Sequence, residues 1–442
     1  MWLSALAVPK RAESGKPSQS IQENQLKSKM IKGLAIGLSC MAFSSHGAEQ
    51  ADTAGTGAAS LSSFKHPGVL VDMARLNYIK GQVNAGAEPF SSAYEAAKSS
   101  RLGSLSYKVQ GPPSNHVIEC GSGSVPDHGC STEDSDAAAA YTQAVLWFIS
   151  GNATYAKNAI AIMNAYARNL TGGHTNSNAP LQSAWTAEKW PAAAEIVRYT
   201  YTGWAASDIS AFQKMLSTQY LPYINGNQAA GKNGNWELSM IDGMIGIAVF
   251  TEDQALYASA VALWKKWVPA YFYNHAADGG APVKFSGSPS GWNGQTVFNA
   301  ATSGVSQETC RDTQHVQLGL AATFNAAETA YVQGTDLYTP MQARLTTSLE
   351  YLARMLQGVR NTSQTNRVNV PAGFPGLCDG TYIPVLKGTM ERAYNGYHNR
   401  LGVALPQTLT HLVNDVRPHA NPDDGHDVIL ETLTHGGSPA SK

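Results

Sequence analysis

From about residue 66 the chain alternates apolar runs at helical spacing with long polar connections. Residues 136–150 (DAAAAYTQAVLWFIS) carry apolar side chains at the three-to-four-residue step of an α-helix, and Gly151 and Asn152 end the run. Residues 153–170 repeat the pattern through Ile160, Ile162, Met163 and Tyr166, until Thr171, Gly172 and Gly173 stop it. The same spacing predicts helices over 190–202, 208–220, 237–250, 253–273, 313–333, 338–356 and 388–401. Strand-like alternation is scarce.

Helices of this length joined by turns form antiparallel hairpins, which assemble as an α-solenoid or as a closed α/α barrel. A solenoid repeats at a fixed period of roughly 34 to 47 residues, and no such repeat is present. The connections 172–180, 225–235, 276–308 and 361–382 are rich in Gly, Asn and Ser, and the last two are long. Long loops in a compact domain usually carry function. The expected fold is therefore all-α: an incomplete (α/α) barrel or toroid of antiparallel helical hairpins, with long loops over one mouth.

Composition narrows the function classes. Of 442 residues 43% are hydrophobic and 14% charged, enough apolar material for a sizeable core. Thirty-one basic residues balance 32 acidic ones, so no global basic field points to nucleic acid. An acidic polymer would need a local cluster of positive and amide groups. Lys27, Lys29 and Lys32 precede an apolar stretch over 33–43, and small residues follow to Ala48. That order is the pattern of a secretory signal peptide starting at Met30, and the stretch is too short to give stable membrane insertion. Residues 37–40 make a poor lipoprotein signal around Cys40. The expected organisation is an extension with signal peptide over 1–48, a linker over 49–65, the helical domain over 66–420 and a tail over 421–442. The expected location is secreted or periplasmic. Outside the signal four cysteines remain, an even number that favours disulfides in an oxidising compartment. Cys120 and Cys130 bracket a Gly/Ser/Pro-rich loop and are expected to pair, which leaves Cys310 with Cys378. No CxxC spacing supports zinc.

Three clusters could carry chemistry. The first is NGNWEL over 233–238, where Asn235 opens a helix as an N-cap or offers its amide to a substrate carboxylate. The second is ETCRDTQH over 308–315, continuing to Gln317. If the helix includes Arg311, Arg311 and His315 share one face, and Glu308 and Asp312 each precede a basic partner by three residues. So many ionisable groups leading into an apolar helix must be paired if buried, and a paired, buried Arg and His reads as a site. The alternative is a solvated helix start. The third is ERAYNGYHNRLG over 391–402, in which Tyr394, Tyr397 and His398 fall on one helix face beside Arg400. It reads equally as an aromatic core stripe. Glu119, Asp127, Glu133, Asp134 and Asp136 crowd one segment, which reads as a solvated acidic loop or as the carboxyl pair of an inverting glycoside hydrolase. GxSxG, HExxH, P-loop and GxGxxG motifs do not occur.

These clusters, with HPGVLVD over 66–72, resemble the alginate lyase superfamily over about residues 66 to 418. The resemblance implies an α/α-barrel polysaccharide lyase that cleaves a uronic-acid polymer, alginate first and glucuronan or another uronan as alternatives, by β-elimination. It implies no metal and no organic cofactor, and an acidic polysaccharide as partner. A non-catalytic carbohydrate-binding protein on the same barrel is a further alternative. By resemblance Asn235 neutralises the uronate carboxylate, His315 is a second neutraliser or the base, and Arg311 holds a carboxylate in bidentate fashion. Tyr394 is the implied catalytic phenol, with Tyr397, His398 and Arg400 on the same wall and Glu308 and Gln317 beside them. Trp185, Trp236 and Trp292 could stack on sugar rings. Many alginate lyases of this fold place His directly after the neutralising Asn. Here Trp236 stands there, so the histidine role moves to His315 or His398.

Overall fold

The computed structural model describes residues 63–225, 234–288, 291–361, 363–419, 421, 423 and 425–437. The expected signal peptide, most of the linker, most of the connection 225–235 and the last five residues lie outside the described residues. The chain opens with α1 (Met73–Asn84) and α2 (Phe90–Ser99), followed by α3 (Cys130–Ser150), α4 (Ala153–Asn169), α5 (Ala179–Ala187), α6 (Lys189–Thr200) and α7 (Ala206–Met215). After a π-turn and α8 (Leu221–Ile224) come the central helices α9 (Gly234–Thr251), α10 (Gln254–Tyr271) and, beyond the short α11 (His275–Asp278), α12 (Thr313–Val332). The last elements are α13 (Gln342–Leu356), α14 (Glu391–Tyr394), α15 (Pro406–His411) and α16 (Glu431–His435). Strands are short: β1 (Ile118–Cys120) pairs with β2 (Asp127–His128) and β3 (His174–Thr175), and β4 (Val368–Asn369) pairs with β5 (Thr381–Tyr382).

The helices start where side chains accept the free N–H groups. Asn152 caps α4, Asp253 caps α10 and Asp312 caps α12, while Gly151 in the left-handed region ends α3. Neighbours pack as hairpins: α3 against α4 and α6, α9 against α5, α10 and α12. The central pair is buried along nearly its whole length, as an innermost helix must be. Gly243 brings α9 so close to α5 that a Cβ there would meet that of Ala187 at 2.9 Å. The fold is thus the incomplete α/α toroid that the helical periodicity predicts.

Three expectations change. The connection expected over 172–180 ends early, because α5 occupies Ala179–Ala187, a helix absent from the predicted set. The helix expected over 388–401 is one short α-turn followed by a π-helical stretch, Asn395–Arg400. The expected tail is not a tail. Val428, Ile429, Leu430 and Leu433 are buried, and Asp427 accepts a 2.7 Å hydrogen bond from Ser239 Oγ in the middle of α9. The segment over 425–430 is a wedge between α5, α9 and α12. Its run of Val, Ile and Leu supplied the apolar surface that carries it inward.

Both disulfides form as expected, Cys120–Cys130 and Cys310–Cys378. The second closes 68 residues, a loop length for which lost chain entropy contributes about 4 kcal/mol. It lies in its own small apolar cluster with Trp292, Phe374 and Tyr382. Trp292 meets Phe298 edge-on there and is core to the loop layer, not a sugar platform. Among the described residues no helix is long and apolar enough to cross a membrane.

Candidate functional site

The starts of α9 and α12 meet across the segment 307–312. Gly234 N–H donates to Gln307 Oε1 at 2.7 Å, and Asn235 N–H reaches Glu308 Oε2 at 3.4 Å. The same carboxylate receives Arg311 Nη1 at 2.9 Å and the Tyr271 hydroxyl at 3.0 Å. One turn on, Asp312 caps His315 N and faces His315 Nδ1 at 2.7 and 2.8 Å from its two oxygens. The structure therefore brings Asn235, Glu308, Arg311 and His315 to one mouth. The route differs from the expected one. The helix begins at Thr313, so Arg311 and His315 do not share a helix face; Glu308 and Asp312 aim them instead.

Burial sets the charges. It pushes the Glu308 carboxyl up, although His315 and Arg311 oppose it. At Asp312 burial acts the same way, but the His315 imidazole outweighs it and holds the carboxyl below its usual range. Burial first, and then Glu308, push the Tyr271 phenol well above the ordinary value. Tyr271 fills the gap between the two helices: a Cβ on Gly319 would come within 2.7 Å of its hydroxyl. It is a strut.

Asn235 is the second residue of α9 and its side chain makes no capping bond. Both Oδ1 and Nδ2 are buried without a hydrogen-bond partner, and the residue is 0% exposed. An unpaired buried amide costs about 1–3 kcal/mol, so it calls for a reason such as a ligand. The N-cap reading does not hold, and the donor reading keeps its physical basis.

Facing this mouth is a second wall. Lys189, buried in α6, donates to Asp134 at 2.6 Å and to the Trp185 carbonyl at 3.1 Å. Trp185 stacks on His426 with ring centroids 3.6 Å apart. Trp185 is thus already covered on one face by an imidazole. Beneath lie three buried carboxyls, Glu188, Asp242 and Asp427, all pushed up, first by burial. Lys189 and His426 were missed from sequence; the apolar content of the 425–437 segment was the signal available for the second. Trp236 is half-buried at the edge of the main core.

The third cluster stays apart. Tyr394 stacks on His398, and its charged surroundings are Arg417, Glu391 and Glu350, with none of the mouth residues among them. Tyr397 is buried and donates to the Tyr338 carbonyl, while His398 Nδ1 lies 2.9 Å from the Val403 carbonyl. Arg400 pairs with Glu328 at 2.7 Å, over Tyr331. Glu328 is 13 residues beyond His315 on α12, a separation of about 20 Å at the helical rise. Arg400, Arg75 and Glu328 line a cavity of about 560 Å³ at that far end. Gln317 is a staple: its amide binds the carbonyls of Thr313 and Val385 and the Lys387 N–H.

In the acidic segment Asp127 is exposed, while Glu133 and Asp136 are neither solvated nor free. Glu133 and Asp136 are buried in α3, the first held by Tyr220, His174 and Gln182 and the second by Tyr107 and Tyr166. Asp127 caps the start of α3, and Glu119 takes Asn176.

One buried acid at the mouth gives a pH prediction. Glu237, in the first turn of α9, is pushed by burial from 4.5 to about 7, with Lys266 opposing. Between those values the unfolded chain ionises before the folded one, so stability is lost as pH rises through that window. Glu237→Gln is expected to raise the melting temperature at about pH 8, where about 3 kcal/mol of this cost is present, and not at about pH 4. Equal effects at both would contradict the assignment.

A helical toroid whose mouth is lined by an amide, a guanidinium and an imidazole offers the donors by which an acidic sugar is held. The comparisons with known proteins agree. The family model described as alginate lyase matches residues 124–362, more than half of the chain, and the chain belongs to that family. Among solved structures, alginate lyase A1-III from Sphingomonas species A1 aligns with 87% of this chain and 100% of its own at a TM-score of 0.56 and 14% identity. A histidine-to-alanine variant of alginate lyase A1-III, complexed with tetrasaccharide, aligns with 88% and 100% at 0.56 and 15%. At that identity these show the fold alone. No curated protein matches the sequence.

Proposed function

We propose that this protein is an exported polysaccharide lyase that cleaves a uronic-acid polymer, alginate before glucuronan, by β-elimination. The observation that carries the reading is the unpartnered Asn235 amide at the mouth that also holds Arg311 and His315. A uronate C5 proton is barely acidic while the neighbouring carboxylate keeps its charge. Donors aimed at that carboxylate stabilise the enolate-like dianion formed as the proton leaves. Asn235 and Arg311 are the donors in this reading, and His315, its Nδ1 engaged by Asp312, presents Nε2 for proton transfer. Tyr394 has no part in it, since its surroundings lie outside the mouth. Two disulfides support export to an oxidising compartment.

The test is a panel of alginate and polyglucuronate incubated with the full chain and followed by ultraviolet absorbance. Unsaturated ends are expected from at least one polymer. New reducing ends without that absorbance would mean hydrolysis, and no product from any uronan would end the proposal.

A further inference from the structure

We propose that His426 is a second catalytic residue, the acceptor of the C5 proton, and that Asp134 and Trp185 are its positioning residues. This rests on the lyase reading above.

The geometry is built from four directions. The ring lies on Trp185 at 3.6 Å between centroids and 15° between planes, which fixes its orientation. Its Nδ1 is buried and lies 3.7 Å from Asp134 Oδ2, a charge contact that favours the proton on Nδ1. Asp134 cannot turn away, since Lys189 Nζ holds its other oxygen at 2.6 Å. The backbone of His426 is left-handed, φ 54°, a conformation that costs a non-glycine residue roughly 1–2 kcal/mol and that gathers at functional sites. The side chain is 32% exposed, which leaves Nε2 as the nitrogen that can meet a sugar.

The charged groups facing the imidazole are Asp134 on α3, Lys189 on α6, Lys387 on the segment before α14 and His315 on α12. Burial, with the three cationic neighbours, outweighs Asp134 and brings the imidazole down to about 4. It is therefore unprotonated at neutral pH, as a base must be. A carboxylate attracted by Lys387, Arg311 and Asn235 would lie between His426 and His315. In the step, Nε2 of His426 takes the C5 proton and the C5–H electron pair becomes the C4=C5 bond. The C4–O4 bond breaks, and O4 takes a proton from His315 Nε2. Water then returns a proton to His315 and removes one from His426.

The experiment compares the parent protein with His426→Ala and His426→Gln on whichever uronan the parent cleaves, reading kcat, KM and the thermal midpoint. Expected is a fall in kcat of roughly 10²- to 10⁴-fold with KM within about threefold and partial rescue of His426→Ala by added imidazole. A kcat within threefold of the parent, or a change confined to KM, overturns the base assignment and leaves the lyase reading standing. A loss of kcat without rescue in two folded variants also overturns it, because a packing role would do the same. A parent inactive on every uronan overturns both.

Discussion

Asn235→Ala is expected to lower the rate of unsaturated product formation by roughly 10²- to 10³-fold, the usual loss when a preorganised donor is removed. The melting temperature should not fall with it. Both expectations rest on the same atoms. Neither Oδ1 nor Nδ2 of Asn235 has a partner in the folded protein, so truncation breaks no hydrogen bond and removes an unsatisfied buried amide. Asn235→Asp would place a carboxylate against the substrate's own and should be as inactive as the alanine variant. A large loss of stability would give the side chain a structural role, and full activity would remove the central donor of the proposal.

Ending the chain at residue 424 is expected to abolish cooperative unfolding altogether. The deletion takes away Val428, Ile429, Leu430 and Leu433, all buried. At about 1.5–3 kcal/mol for each buried side chain the loss is roughly 6–12 kcal/mol, comparable with the whole stability of a domain. It also removes Glu431, the partner of the fully buried Arg392 and of Thr389, and a buried cation left alone costs several kcal/mol more. Leu433→Ala is the milder version, expected to cost about 2–5 kcal/mol in denaturant unfolding. A truncated protein with an unchanged melting temperature would make this segment the appendage that its position in the sequence implies.

The helices were legible from apolar residues at helical spacing: the runs in α4, α9, α10 and α12 were located within three positions of their ends, whereas α3 begins at Cys130, before its expected start at 136. The family was legible in the same text: within the expected 66 to 418, the family model matches residues 124–362. The helix α5 was not, because its Ala, Ser, Gln and Thr leave it without an apolar period, although every one of its side chains but Pro180 is buried. In the second cluster the charge spacing told the truth about partners: Glu308 with Arg311 and Asp312 with His315 both pair three residues apart. Spacing cannot tell which end of a toroid a helix face looks out from. Tyr394, Tyr397, His398 and Arg400 have the residue types of a sugar site, yet the descent of their segment beside α12 carries them to the Glu328 end. His426 was hidden for the opposite reason. Its neighbours Asp423, Gly425 and Asp427 spell a polar turn, and only the packing of Val428 to Leu430 draws it under Trp185.

Cys310 sits inside the run that supplies Glu308, Arg311, Asp312 and His315, and its sulfur is tied to Cys378 across the loop layer. The placement of these four side chains is therefore fastened by a covalent bond that lies buried within the loop layer. A chain made in a reducing cytosol would carry the same four side chains on a segment without that strap, held by its ion pairs and hydrogen bonds alone.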